Sequence, residues 1–169
     1  VKRSQDVISI FYNIQKEMPA KLMLIGEGPE REKIEYRCQE LGILDKVIFF
    51  GKSNEIDKIL CFSDLFLLPS ETESFGLAAL EAMASSVPVI SSNTGGIPEV
   101  NIHGVSGFLS NVGDVAEMTK NALYILSDKE RLKMFKENAR KASLKFDLHN
   151  IVPQYEAVYQ DTLAKCLVL

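Results

Sequence analysis

The sequence has no apolar run near the 18 or so residues that cross a bilayer, and no basic opening followed by an apolar stretch. Neither a membrane span nor a secretory leader is expected. Cysteine is scarce: Cys38, Cys61 and Cys166 are three in number and unrelated in spacing. That argues against a disulfide framework and for a reducing, cytoplasmic setting. Cys38 and Cys61 fall in helical patterns, where a thiol is expected to pack as a small buried apolar group. His103 and His149 have no second ligand at metal spacing and no D-x-D pair occurs, so no metal site is expected. An excess of basic charge is also missing. The net charge of −4 argues against broad nucleic-acid or membrane-surface binding, yet leaves room for a small anion at a helix start. The phosphate-binding pattern G-x-x-x-x-G-K-[ST], internal repeats and low-complexity linkers are all absent.

What is there suits one globular domain. Of 169 residues, 46% are hydrophobic and 25% charged, and a chain of this size buries roughly 70% of its unfolded surface. Val7, Ile8, Phe11, Ile14 and Met18 recur at helical spacing after Ser4, a candidate N-cap. Residues 21–25 (KLMLI) and 47–50 (VIFF) read as strands buried on both faces. Between them Pro29 opens a helix and Gly42 closes it. Asn54 is expected to cap a short helix through Phe62. LFLL at 65–68 and PVIS at 88–91 read as strands on either side of a helix at 76–86, and 107–109 as a short fifth strand. Asp114 and Glu117 form a D-x-x-E cap before a helix carrying Met118, Ala122 and Ile125. Helices at about 128–146 and 147–166 follow, and Pro153 should start or kink the last. Strands alternating with helices predict an α/β fold with a parallel sheet, although the first helix has no strand before it.

Parallel α/β sheets bind ligands beyond the carboxyl ends of their strands. The loops there contain Gly26 and Gly28, then Lys52 and Ser53, then residues 69–75, then Ser92-Asn93-Thr94-Gly95-Gly96. The first is not a dinucleotide fingerprint, because Arg31 stands where the third glycine is needed. The strongest segment is E-T-E-S-F-G-L-A-A-L-E-A-M-A at 71–84. A glycine at the helix start lets a phosphate approach unpaired N–H groups. Glu81 suits a ribose diol, because a carboxylate accepts two hydrogen bonds, and Glu73 lies nearer the phosphate end. As an acid before a helix, Glu73 is also explained by the helix dipole. Glu81, among Ala79, Leu80, Ala82 and Met83, is not.

E-S-F-G-L-A-A-L-E-A-M-A resembles the E-x7-E signature of retaining glycosyltransferases of family 4, with Glu73 and Glu81 as its glutamates. Lys2, G-E-G-P at 26–29, V-I-F-F-G-K at 47–52, S-D-L-F-L-L-P-S at 63–70, G-G-I-P-E-V at 95–100, H-G-V-S-G-F-L at 103–109 and F-D…Y-E-A-V-Y agree in order. The resemblance implies a Rossmann-like parallel sheet flanked by helices. It implies that residues 1–169 are the C-terminal, nucleotide-sugar-binding half of a two-domain GT-B enzyme. The first strand and the N-terminal acceptor domain would then lie outside this chain, with 147–169 as the C-terminal helix. It implies that Lys2 contacts the donor diphosphate and Glu73 the donor sugar. The backbone of Phe75, Gly76 and Leu77 would cradle the diphosphate, Glu81 would hold the ribose, and Lys52 and Ser53 would flank the base. Arg3 stands where the family has glycine. No cofactor is implied.

The opening V-K-R-x-Q-D-V and the loop E-x-E-S-F-G-L resemble the members that serve bacillithiol biosynthesis. These imply UDP-N-acetylglucosamine as donor and L-malate as the small-molecule acceptor, with catalysis in the full-length protein and an inactive isolated chain. Two other readings stand beside this. One is a non-catalytic nucleotide-binding module. The other is a family 4 enzyme with a different donor and a sugar or lipid acceptor. A glycoside hydrolase using Glu73 and Glu81 fits poorly, since one glutamate precedes a helix and the other lies within it.

Overall fold

A computed structural model describes residues 2–166. The chain opens on α1 (Ser4–Glu17), followed by β1 (Leu22–Ile25), α2 (Arg31–Glu40), a 3₁₀ turn, β2 (Val47–Gly51), α3 (Ile56–Leu60) and β3 (Phe66–Leu68). Then come α4 (Leu77–Ala84), β4 (Val89–Ser92), α5 (Ile97–Val100), β5 (Gly107–Ser110), α6 (Val115–Leu126), α7 (Lys129–Ser143), a second 3₁₀ turn and α8 (Leu148–Cys166). The predicted α/β alternation holds throughout. Residues 167–169 of the predicted last helix lie outside the described residues.

All strand pairs are parallel, but the strands form two sheets. β1 pairs with β2, and β3, β4 and β5 lie in that order. Helix α1 serves both. Its Ile8 and Phe11 pack with Ile34 and Cys38 of α2 and Val47 of β2. Its Ile10 and Ile14 pack with Ile90 of β4, Met118, Ala122 and Ile125 of α6 and Phe135 of α7. On the other face of the three-stranded sheet, Leu68 and Val89 meet Ala79, Ala82 and Met83 of α4 and Ala139 and Ala142 of α7. β4 is thus covered on both faces, and each such Val or Ile side chain contributes about 1.5–3 kcal/mol by burial. Asn101 locks this sheet to the segment after α5. Its amide donates to Val89 O (3.1 Å), Ser91 Oγ (2.9 Å) and Phe108 O (3.3 Å), and its Oδ1 accepts from Ser106 Oγ (3.1 Å).

Several sequence expectations change. β1 is only half-buried, and β2 alternates, leaving Ile48 and Phe50 41% and 45% exposed. An apolar run does not reveal which faces are covered, and the core formed with α1 and α2 takes only Val47 and Phe49 of β2. Ser4 is not the N-cap of α1. Arg3 is, in left-handed backbone (φ 49°, ψ 51°). Asn54 does not cap α3 either. Glu55 holds that place without a side-chain bond, and Ser53 Oγ instead accepts from the Glu55 N–H at 3.1 Å. Pro29 lies in a turn closed by Arg31 N–H to Gly28 O (3.2 Å), so α2 begins two residues later. Cys61 ends α3 and is exposed, whereas Cys38 is buried and burial pushes its thiol pKa up. Pro153 lies inside α8 and does not start it.

Asp114 caps α6 as expected, and Asp128, not singled out as a cap from the sequence, does the same for α7. Asp114 accepts from the Glu117 N–H at 2.9 Å, and Asp128 from the Arg131 N–H at 2.8 Å. Among the described residues no helix is long and apolar enough to cross a membrane, and no group of three metal-ligating side chains gathers.

Candidate functional site

The loop after β3 carries most of the candidate residues. Strand β3 ends at Leu68, and Pro69 and Ser70 follow it into the interior. The chain then surfaces and turns at Gly76, whose φ of 92° and ψ of 38° lie in the left-handed region that favours glycine. Gly76 is the N-cap of α4, so the N–H groups that follow have no carbonyl of their own helix to reach and suit an anion. Leu77, at the first helical position, is 62% exposed, which leaves that start open to solvent.

Glu73 and Lys2 meet here across 71 residues, with Lys2 Nζ 2.7 Å from Glu73 Oε2. The Glu73 side chain is 15% exposed and that of Lys2 62%. The fully buried Ser70 donates its hydroxyl to the same carboxylate oxygen at 3.4 Å. The lysine approaches from just ahead of α1, and the turn into that helix runs through Arg3. Its left-handed φ is what a glycine would take without cost. Here the turn is pinned by the guanidinium, Arg3 Nε lying 2.6 Å from Asp6 Oδ2. This hydrogen bond, more than any other influence, raises the Arg3 pKa above its ordinary value.

Glu81 lies one turn beyond Leu77 on the same exposed side of α4, while Ala79, Ala82 and Met83 face the core. The apolar neighbours that made Glu81 conspicuous in sequence are therefore its buried flanks. Its carboxylate has no hydrogen-bond or ion-pair partner among the described residues.

The other four predicted residues belong to the two-stranded sheet. Gly26 follows β1 and Lys52 follows β2, and the loops are joined by Gly26 N–H to Gly51 O at 2.7 Å. Lys52 Nζ lies 3.5 Å from Glu27 Oε2. Gly28 lines an open cavity of about 470 Å³ with Glu27, Pro29, Arg31 and Glu32. Ser53 spends its hydroxyl on the turn before α3. The candidates thus form two groups. Lys2, Glu73, Phe75, Gly76, Leu77 and Glu81 are one, and Gly26, Gly28, Lys52 and Ser53 the other. Sequence reasoning had not singled out Ser70. Its only signal is a hydroxyl just past an apolar strand and three residues before Glu73.

The loop and helix α4 offer an unpaired carboxylate and an open helix start, and a lysine from ahead of α1 reaches the same loop. These can take a diol and a phosphate from one ligand. Residues 1–142 match the family described as "Glycosyl transferases group 1". The N-acetyl-alpha-D-glucosaminyl L-malate synthase of Bacillus anthracis is 46% identical over 96% of this chain and 43% of its own length. The sulfoquinovosyl transferase SQD2 of Arabidopsis thaliana is 32% identical over 83% of this chain and 28% of its own. This chain therefore spans less than half the length of these curated relatives. Among solved structures, HepE of Anabaena in complex with UDP superposes with a TM-score of 0.81 at 26% identity, over 90% of this chain and 44% of that one. TarM superposes at 0.85 over 94% and 32%, and at 22% identity speaks for the fold alone. The predicted fold class holds: parallel sheets flanked by helices, as in GT-B glycosyltransferases. The chain belongs to the glycosyl transferases group 1 family.

Proposed function

We propose that this chain is the donor-binding half of a retaining, cytoplasmic glycosyltransferase that moves N-acetylglucosamine from UDP-N-acetylglucosamine to L-malate. The observation that carries the donor half is the meeting of Lys2 with Glu73 beside the open start of α4, with Glu81 unpaired one turn on. In this reading the N–H groups from Phe75 to Leu77 and the Lys2 ammonium hold the diphosphate. They stabilise the charge that grows on it as the sugar leaves. Glu81 holds the ribose and Glu73 the sugar, while Lys52 and Ser53 flank the base. The solved complexes of HepE with UDP and with UDP-glucose support a nucleotide-sugar as ligand. The choice of N-acetylglucosamine and malate rests on the name of the relative at 46% identity.

The strand order supports the division into halves. A doubly wound sheet of order 3-2-1-4-5-6, taken without its first strand, leaves a pair and a trio. That is the grouping of β2-β1 and β3-β4-β5. The acceptor site then belongs to a preceding domain.

The test incubates the protein, at the full length its gene encodes, with UDP-N-acetylglucosamine and a panel of acceptors, following UDP release. Release that depends on malate is the expected result. Release that answers only to another hydroxy acid, sugar or lipid overturns the malate assignment. Tight nucleotide binding without turnover on any acceptor favours a non-catalytic module, and no response to any nucleotide-sugar overturns the donor site.

A further inference from the structure

The Gly95-Gly96 pair stands out in the sequence, and the reading above gives it no task. In the structure the turn between β4 and α5 lies directly on the backbone of residues 71–75. Thr94 Oγ1 donates to Glu71 O at 3.2 Å. The Gly96 N–H donates to Ser74 O at 3.1 Å and more weakly to Glu73 O at 3.4 Å. A Cβ on Gly95 would fall 1.6 Å from Glu73 O, and one on Gly96 would fall 2.6 Å from Ser74 O and 2.9 Å from the Phe75 Cα. Both positions are closed to any side chain by backbone, which cannot swing aside. Gly26, Gly28, Gly42 and Gly104 have no such neighbours within 4 Å; Gly107 is closed as tightly, by Val89 O at 1.9 Å, but it lies in β5 and away from this loop. The support continues past the turn. Buried Ile97 places its Cγ1 3.5 Å from where a Gly76 Cβ would be, beneath the N-cap of α4.

Each of these bonds ends on a main-chain carbonyl of the loop. The turn therefore sets the backbone path of residues 71–75, whatever their side chains do. That path decides where the Glu73 carboxylate stands relative to the N–H groups at the start of α4. Glu81 is one turn further along the helix and does not depend on it.

We infer that Thr94, Gly95 and Gly96 are positioning residues, a brace that sets the distance between the sugar-binding Glu73 and the diphosphate cradle. The inference rests on the donor-site reading and deepens it. It predicts a graded defect: a displaced loop weakens the hold on the sugar most, the hold on the diphosphate shared with UDP less, and leaves the nucleoside contacts of Glu81 intact.

The experiment measures the affinity of the full-length protein for UDP and for UDP-N-acetylglucosamine by calorimetry, with melting temperature alongside. Thr94→Val removes one hydrogen bond and should weaken the nucleotide-sugar about three- to tenfold, with UDP changed by less than about twofold. Thr94→Ser should restore both. Gly95→Ala should widen the gap further, and if it fails to fold the threonine pair carries the test. Equal weakening of both ligands, or a change in melting temperature alone, overturns the brace. Failure of the donor reading looks different, because Glu81→Ala then leaves UDP affinity unchanged.

Discussion

Replacing Asn101 tests the architecture that carries the brace, because this side chain ties the far end of α5 to β4 and β5. It is fully buried, shares its two amide protons among three acceptors, and accepts one hydroxyl proton. At about 1 kcal/mol net per bond, and with a small cavity left behind, Asn101→Ala should cost about 3–5 kcal/mol. That is a large share of the 5–15 kcal/mol that holds a typical domain together. For a protein of this size it lowers the melting temperature by roughly 6–20 °C. Asn101→Asp discriminates better. It is nearly isosteric but points acceptors at Val89 O and Phe108 O and buries a charge, so at pH 7 it should be less stable than the alanine variant. Burial raises the pKa of such an aspartate in the folded state, so part of its loss should return as pH falls. Urea denaturation across pH, with the slope m checked for constancy, provides the measurement. An alanine variant within about 1 kcal/mol of wild type, or an aspartate no worse than alanine, refutes the network as the source of stability.

Glu81→Ala should leave the fold intact and weaken UDP binding by about 1.5–3 kcal/mol for each charged hydrogen bond lost, read by titration. A thiol reagent on the native protein should modify Cys61 and Cys166 fast and Cys38 only on unfolding, since the first two are exposed and the third is buried. The Arg131 N–H holds Asp128 below the usual carboxylate range, and the His149 N–H does the same for Asp147. Their contributions are therefore complete above the unfolded carboxylate pKa near about 4 and fade as pH falls through the lower folded values. Acid titration followed by circular dichroism should show Asp128→Ala removing part of that pH dependence.

Signals confined to one turn of chain were legible in the sequence. Asp114 caps its helix as D-x-x-E announces, because a carboxylate three residues ahead of an N–H closes its own ring; Asp128 does the same without having been singled out. Ser4 and Asn54 look equally good in a string of letters. At α1 the turn is set by Arg3 and Asp6, and beside Asn54 the hydroxyl of Ser53 takes the N–H instead. The placement of Glu73, Gly76 and Glu81 around a helix start was legible from their spacing. The contact of Lys2 with Glu73 spans 71 residues, and no periodicity announces it; only the family resemblance pointed there. Ser70 and the Thr94 turn were hidden for the same reason, since what they touch is fixed by how β3 and β4 lie side by side. The exposed Ile48 and Phe50 show that apolar letters state a capacity for burial, not the presence of a cover.

Taken alone, residues 2–166 have a seam between their two sheets, where the further strand of the proposed doubly wound sheet would lie. Through its apolar contacts α1 crosses it, and the two groups of candidate residues stand on opposite sides. A ligand that reaches from Lys52 to Glu81 is then a strut between half-sheets as well as cargo. Its binding free energy would appear as resistance to opening along the seam, following RT ln(1 + [L]/Kd). The amides of Leu22–Ile25 and Val47–Gly51, whose small sheet leans on a single shared helix, would gain the most protection from hydrogen exchange.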